Sequence, residues 1–260
     1  MNEDNELYRC FEAERVKIGE GVMSKVYLWR GFAYKCFSRE YPDYMIAYET
    51  QVQKKIFATG LPVAKYYKSP IPRCIKMDYI DGITLSDRIR REKYKNGLAD
   101  LTELFPMIHN VKNIDVPRLS PYISGEISKY DCAPEMKAAA IKIMGEIPEE
   151  DALCHLDYHF LNLMYCDNAD YRGYKIIDWV SATLGNPIYD YARSYVIMFE
   201  FANRMSGKFL NIVIAQCGFD ADMIERVIYV MTLHRLTQYG NNYKNDKISA
   251  LANELYSRIK

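Results

Sequence analysis

Two charged residues sit inside apolar patterns that leave no obvious room for charge, and they constrain the fold more than anything else in the chain. Lys35 lies within the run Phe32-Ala-Tyr-Lys-Cys-Phe37, whose alternation reads as a strand with Ala33, Lys35 and Phe37 on one face. Glu49 falls in the centre of the Met45, Val52, Ile56 stripe, within a helical run that begins after Pro42-Asp43. A lysine turned to an inner face costs free energy unless paired, and so does a carboxylate in an apolar stripe. One Lys35–Glu49 ion pair resolves both and predicts that the helix packs on that face of the strand. The alternative is a snorkelling lysine with Glu49 at the edge of the stripe.

The surrounding pattern changes period along the chain. Residues 16–18, 25–29 and 32–37 are short runs rich in aromatic and β-branched residues, with Arg30-Gly31 between the last two as a hairpin turn. The helical run after residue 43 stops at Gly60-Leu61-Pro62. Residues 73–80 read as another strand, closed by the turn Asp81-Gly82. From Leu85 to about Gly145 the signals are mostly helical, interrupted by a proline-containing loop around 114–125. Leu153 to Ile177 reads as loop, strand, turn over 167–173, and strand. From Asp190 the reading is helical again, with breaks near Gly218 and Gly240. A small sheet with one helix, then a larger helical part, predicts the α+β class and two lobes, 1–82 and 83–260.

Composition narrows the functional classes. A hydrophobic fraction of 49% over 260 residues supports a packed core and excludes a disordered or fibrous chain. Thirty-four basic residues balance 34 acidic ones, so no charge excess calls for nucleic acid or an anionic membrane as partner. No apolar stretch approaches the ~20 residues of a membrane-spanning helix. The first residues, Met1-Asn-Glu-Asp-Asn-Glu6, are acidic where a secretory signal is basic and then apolar, so a cytoplasmic location is expected. Seven cysteines, odd in number and without a C-x-x-C pair, argue against a disulfide framework and a cysteine metal site.

The chemistry concentrates in His155-Leu-Asp157-Tyr-His159-Phe-Leu-Asn162, an H-x-D-x-x-x-x-N spacing. Random placement of this chain's own His, Asp and Asn would produce it on the order of 0.01 times. Ile176-Ile-Asp178-Trp179 follows at the end of the next hairpin. Phosphoryl transfer needs a carboxylate facing the attacking hydroxyl, with an amide oxygen and a second carboxylate to hold Mg²⁺ on the nucleotide phosphates. Asp157, Asn162 and Asp178 offer those groups in that order. Gly19-Glu-Gly21-Val-Met-Ser24-Lys-Val26 lies between two strands, as a phosphate-covering hairpin does, with Ser24 where a third glycine is usual. Lys35, held by Glu49, would reach the α- and β-phosphates. Met77-Asp78-Tyr79-Ile80 would be a linker whose backbone reads adenine. His109 and His234 read as packed or surface histidines, and Cys154 and Cys166 as small hydrophobes.

With these residues in place, the chain resembles the aminoglycoside phosphotransferase and choline kinase branch of the protein-kinase-like fold. It is most similar to the small bacterial members of that branch, whose substrates are often unassigned. The resemblance runs from Ile18 to about Tyr195. Three features carry it: His159 two residues after Asp157, Trp179 directly after Asp178, and the segment Gly185-Asn-Pro187-Ile-Tyr189-Asp190-Tyr-Ala192 without an A-P-E segment. The resemblance implies ATP or GTP bound between the lobes and transfer of its γ-phosphoryl group to a substrate hydroxyl. It implies Asp157 as catalytic base, with His155 and His159 beside it, and Asn162 and Asp178 as magnesium ligands. On the nucleotide it places Gly19, Gly21, Ser24, Val26 and Ala33, the Lys35–Glu49 pair, and the segment Met77, Asp78, Tyr79 and Ile80. Asp190 would cap its helix and brace the catalytic loop. The chain departs from the branch at Leu156, where glycine is frequent, and at Phe160-Leu161, where Pro-Gly is common.

The expected partner is a small molecule bearing a hydroxyl, with no nucleic acid and no membrane. Residues 83–260 hold 23 acidic and 21 basic side chains, a balance that gives no support to a polycation site of the aminoglycoside kind. A Ser/Thr kinase acting on proteins and a non-catalytic nucleotide-binding regulator remain as alternatives.

Overall fold

The structure is a computed structural model that describes residues 3–169, 171–239 and 245–259. In chain order the elements are α1 (Glu3–Glu14), β1 (Val16–Glu20), β2 (Ser24–Trp29), β3 (Phe32–Phe37), α2 (Asp43–Ala58), β4 (Tyr66–Tyr67) and β5 (Cys74–Asp78). There follow β6 (Ile83–Thr84), α3 (Leu85–Arg91), α4 (Gly97–Glu103), α5 (Phe105–His109), α6 (Leu119–Lys129), α7 (Pro134–Glu146) and β7 (Ala152–Cys154). The chain ends with β8 (Leu163–Asp167), β9 (Arg172–Ile176), β10 (Thr183–Gly185), α8 (Ile188–Phe201), α9 (Asn203–Cys217), α10 (Ala221–Thr237) and α11 (Asp246–Ile259). Two compact units result: one runs up to Arg88 and takes back Leu161–Val180, and the other comprises Ile89–Phe160 and the chain from Ser181 on.

The first unit is built on an antiparallel five-stranded sheet of order β1-β2-β3-β5-β4. The expected hairpin turn is present, with Arg30 (φ 48°) and Gly31 (φ 78°) both left-handed, as a two-residue turn between twisted strands requires. Register then decides which side chains share a face. Val26, Lys35 and Ile75 form one cross-strand row, and Leu28, Ala33 and Met77 the next. α2 covers this face, with Glu49, Val52, Gln53 and Ile56 buried. Beyond β5, β6, β8 and β9 form a separate three-stranded antiparallel sheet in the order β6-β8-β9.

Two expectations are corrected here. The sheet carries a second helix, α1, where one was expected. Leu7, Cys10 and Phe11 recur at three- and four-residue spacing and lay an apolar edge on the sheet face opposite α2, against Trp29 and Tyr34. Phe11 meets the Trp29 ring edge-on at 5.3 Å, and Trp29 Nε1 donates to Glu14 at 2.8 Å. The second correction concerns cysteine. Cys36 on β3 and Cys74 on β5 are direct cross-strand partners, with Cα atoms 4.0 Å apart, and are joined by a disulfide. Counting cysteines missed it because pairing here is set by strand register and not by spacing along the chain.

The second unit is mainly helical. α8 and α10 are buried on most of their surfaces, with polar groups such as Asp190 and Arg193 among the buried ones, and α6, α7, α9 and α11 pack around them. β7 and β10 pair antiparallel within it, Leu153 opposite Leu184. The stretch expected as loop over 114–125 turns helical at Leu119, because Leu119, Ile123 and Ile127 form a fully buried stripe and Pro121 lies in the first turn, where it costs no hydrogen bond. The expected break at Gly218 is present, with that glycine left-handed at the end of α9. Gly240 lies outside the described residues. Among those described, no helix is long and apolar enough to cross a membrane.

Candidate active site

In the first unit, β3, α2 and the β8–β9 hairpin deliver three charged groups to one point. Lys35 Nζ lies 2.8 Å from Glu49 Oε1 and 3.4 Å from Asp178 Oδ1. The Glu49 side chain is 3% exposed and that of Asp178 39%, so the cluster is sealed on the helix side and open on the hairpin side. Burial opposes the charge on Lys35, but the Asp178 and Glu49 carboxylates outweigh it and hold its pKa above the ordinary value. Glu49 is pushed up by burial, with Asp178 adding to the push and Lys35 offsetting part of it. One ammonium between two carboxylates leaves one negative charge over.

The loop between β1 and β2 is a tight hairpin turn. A bulge between Lys17 and Gly19 shifts the register so that Gly19 lies opposite Val26. Gly21 N donates to Ser24 O at 2.8 Å, closing the turn, with Val22 fully exposed at its tip. Ala33 and Met77 are neighbours across β3 and β5, on the Lys35 face. Asp78 is already engaged: its N–H donates to Lys65 O at 3.0 Å, and its carboxylate accepts from Lys65 N and from Tyr67 Oη.

Hairpin register also explains how Asn162 and Asp178 come together. Leu163 pairs with Ile176, and Ile177 N donates to Asn162 O at 3.0 Å, so both residues stand at the same end of the β8–β9 ladder. Asp178 is left-handed (φ 65°), a conformation that Asp tolerates better than most residues. Two oxygen-bearing side chains and a surplus negative charge suit a hard divalent cation such as Mg²⁺.

In the second unit, the catalytic-loop motif is strapped down through its backbone. His155 N and Leu156 N donate to the two oxygens of Asp190 at 2.9 and 2.8 Å. Arg193 Nε donates to Leu156 O at 3.1 Å, and Ser194 Oγ to Tyr158 O at 2.7 Å. Asp190 thus braces the loop from the first turn of α8. Leu156 adopts a left-handed conformation (φ 58°), which costs an L-residue with a bulky side chain roughly 1–2 kcal/mol. That is the position where the resembled branch often has glycine. Asp157 follows it. Its N–H donates to His155 Nδ1 at 3.2 Å, and its Oδ2 lies 3.5 Å from His159 Nε2. Burial opposes the charge on Asp157, but His159, Arg193 and His155 outweigh it and hold the carboxyl below its ordinary pKa.

Sequence reasoning passed over two residues of this loop support. His109 Nε2 lies 3.1 Å from Asp190 Oδ2, and Arg193 is 1% exposed. A lone histidine on a short helix gives no spacing to read, although an arginine three positions after Asp190, inside an otherwise apolar run, is the same kind of signal that exposed Lys35.

Comparison with known proteins agrees with this architecture. The profile of the phosphotransferase enzyme family matches residues 128–216, which include the catalytic-loop motif, both metal candidates and Asp190. Among curated proteins none matches the sequence. Solved structures match over nearly the whole chain. Aminoglycoside phosphotransferase APH(4)-Ia is 15% identical, covering 98% of this chain and 97% of its own, with a TM-score of 0.68. A choline/ethanolamine kinase family protein from Mesorhizobium loti is 15% identical, with 98% and 93% covered and a TM-score of 0.63. Choline kinase LicA from Streptococcus pneumoniae is 13% identical, with 98% and 96% covered and a TM-score of 0.59. The α+β kinase-like fold is the one expected from the sequence, and the solved structures that share it include aminoglycoside phosphotransferases and choline kinases.

Proposed function

We propose that this phosphotransferase moves the γ-phosphoryl group of ATP or GTP to the hydroxyl of a small molecule. The observation that supports the reading is the Lys35 ammonium held between Glu49 and Asp178, because a strand, a helix and a hairpin converge on one largely buried cation, as a phosphate-binding lysine requires. In this reading residues 1–82 form the nucleotide lobe, and 83–260 carry catalysis and acceptor binding.

Each residue then has a defined task. Lys35 donates to the α- and β-phosphates, with Glu49 fixing its direction. Backbone N–H groups of the Gly19–Ser24 turn cover the phosphates. Asn162 and Asp178 would hold Mg²⁺, which when bound neutralises phosphate charge. Asp157, ionised at neutral pH, accepts a hydrogen bond from the acceptor hydroxyl, orients it for in-line attack, and takes its proton as transfer proceeds. A carboxylate with a lowered pKa is a modest base, and that suffices, since phosphoryl transfer through a loose transition state asks mainly for orientation. His159 and His155 keep Asp157 charged and turned.

The acceptor we favour is a neutral or singly charged alcohol of choline, ethanolamine or sugar type. Glu200, an acidic residue of the helical unit, is already satisfied by Arg235 Nε at 2.8 Å and Asn245 Nδ2 at 2.9 Å, with Tyr239 Oη donating as well. We place the reaction in the cytoplasm, where nucleoside triphosphates are abundant, with neither nucleic acid nor membrane as partner.

ADP release is to be measured with Mg²⁺ and ATP or GTP against aminoglycosides, choline, ethanolamine, sugars and homoserine. At least one hydroxyl compound should accelerate it. Asp157→Ala should lower that rate about 10²–10⁴-fold while nucleotide binding persists. Nucleotide-independent behaviour, or full activity in the variant, would overturn the assignment. Phosphorylation of generic proteins with no small acceptor would point to a protein kinase instead.

A further inference from the structure

We propose that His109 and Arg193 are positioning residues that hold the Leu156 peptide in its left-handed turn and so fix the direction of Asp157. This inference rests on the phosphotransferase reading above for its kinetic consequences, but its geometric core stands within the second unit alone.

The Leu156 peptide is gripped from both sides. Its N–H donates to Asp190 Oδ1 at 2.8 Å, and its carbonyl accepts from Arg193 Nε at 3.1 Å. The other Asp190 oxygen takes the His155 N–H at 2.9 Å together with His109 Nε2 at 3.1 Å. Asp190 is 0% exposed, Arg193 1%, Leu156 2% and His109 7%, so water does not compete for any of these bonds. The His109 ring is fixed by its neighbours, with Phe105 tilted against it at 5.3 Å and Tyr191 edge-on at 5.1 Å. At its far end Arg193 Nη2 donates to Gln238 Oε1 on the turn that closes α10. Two helices outside the loop thus set the two groups that grip it, α5 through His109 and α10 through Gln238.

A leucine does not rest in a left-handed turn unaided, and glycine would. Holding it there needs both ends of the peptide tied, and these bonds tie both ends. A metal-site reading of the same region fails. His109, Cys154 and Asp190 do bring their ligand atoms within 4.8 Å of one another. Both Asp190 oxygens, however, are already taken by N–H donors, and burial pushes the Cys154 thiol well above its ordinary pKa, away from the thiolate a metal requires.

The test compares variants that remove a grip with variants that keep a donor, and asks whether glycine at 156 makes the grip dispensable. His109→Leu and Arg193→Met should each lower kcat for Mg·ATP hydrolysis about tenfold to a hundredfold with KM for ATP within about twofold, as a misaimed group does. His109→Gln, which keeps a donor near the Nε2 position, and Arg193→Lys should recover most of the loss. Adding Leu156→Gly to His109→Leu or Arg193→Met should restore the rate per folded molecule to within about threefold of the parent. Hydrogen exchange of the peptide spanning residues 152–160, measured without nucleotide, should quicken in the two grip-removing variants only. Losses that persist with glycine at 156, or unchanged rates and exchange in His109→Leu, would overturn the proposal. If Arg193→Met does not fold, the His109 series decides it. If the parent protein releases no ADP from Mg·ATP, alone or with any of the hydroxyl compounds above, the phosphotransferase reading falls, and the exchange measurement still decides the grip.

Discussion

The economy of the candidate site shows best at single residues. Lys35 touches two carboxylates and each depends on it differently: Glu49 is sealed from solvent, whereas Asp178 is not. Lys35→Met should therefore destabilise the protein by about 3–5 kcal/mol in urea unfolding, because it strands a buried carboxylate. Lys35→Met combined with Glu49→Leu should regain most of that stability without regaining transfer. If the single substitution leaves the urea midpoint unmoved, the pair does not carry the charge balance described. Residues of this kind were legible in the sequence because charge in an apolar pattern must have a partner, and Lys35 with Glu49 announced theirs. Leu156 was legible only as a departure from a family pattern; its left-handed backbone and the bonds that hold it are properties of folded geometry. His109 gave no signal, since one histidine on a five-residue helix has no periodicity to betray its partner.

Elements were read well where a turn or a stripe marked them. The β2–β3 hairpin and α2 follow from Arg30-Gly31 and the Met45–Ile56 stripe. α1 is hard to see in the sequence because its first residues are acidic and its apolar edge is only three residues wide. That narrow edge nevertheless anchors the helix. Phe11 is 0% exposed and packs against Trp29, Tyr34 and Tyr27. Phe11→Ala should cost about 3–5 kcal/mol, seen as a lower melting temperature with faster proteolysis at the N-terminal helix. A melting curve that does not move would mean that α1 contributes nothing to the sheet. The Cys36–Cys74 bridge was equally hidden, since it depends on β3 and β5 being neighbours in register, which no count of cysteines reveals.

At the scale of the molecule, pH reads the charge network. Asp157 and Asp190 have pKa values held below the ordinary carboxylate value. Their contribution to stability is present above about pH 4 and is lost as pH falls through the lower, folded-state values. Lys35, raised in the folded state, contributes stability that is lost only as pH rises beyond about 10.5. Glu49 works with the opposite sign to the two aspartates, giving up a little stability as pH rises past about 4.5. Melting temperature should accordingly be broad and flat near neutrality with a fall on the acid side, and Asp190→Asn should flatten that fall. An acid limb identical in the variant would show that Asp190 does not control it.

One further consequence follows from the return of residues 161–180 to the unit that contains Lys35. Lys35 and both proposed magnesium ligands then belong to a single compact body, while Asp157, the proposed base, belongs to the other. On the proposed reading, drift in the helical body can retarget the enzyme toward a new alcohol without relearning how to hold its phosphate donor. In this architecture the choice of recipient is free to diversify while the source of the phosphoryl group stays constant.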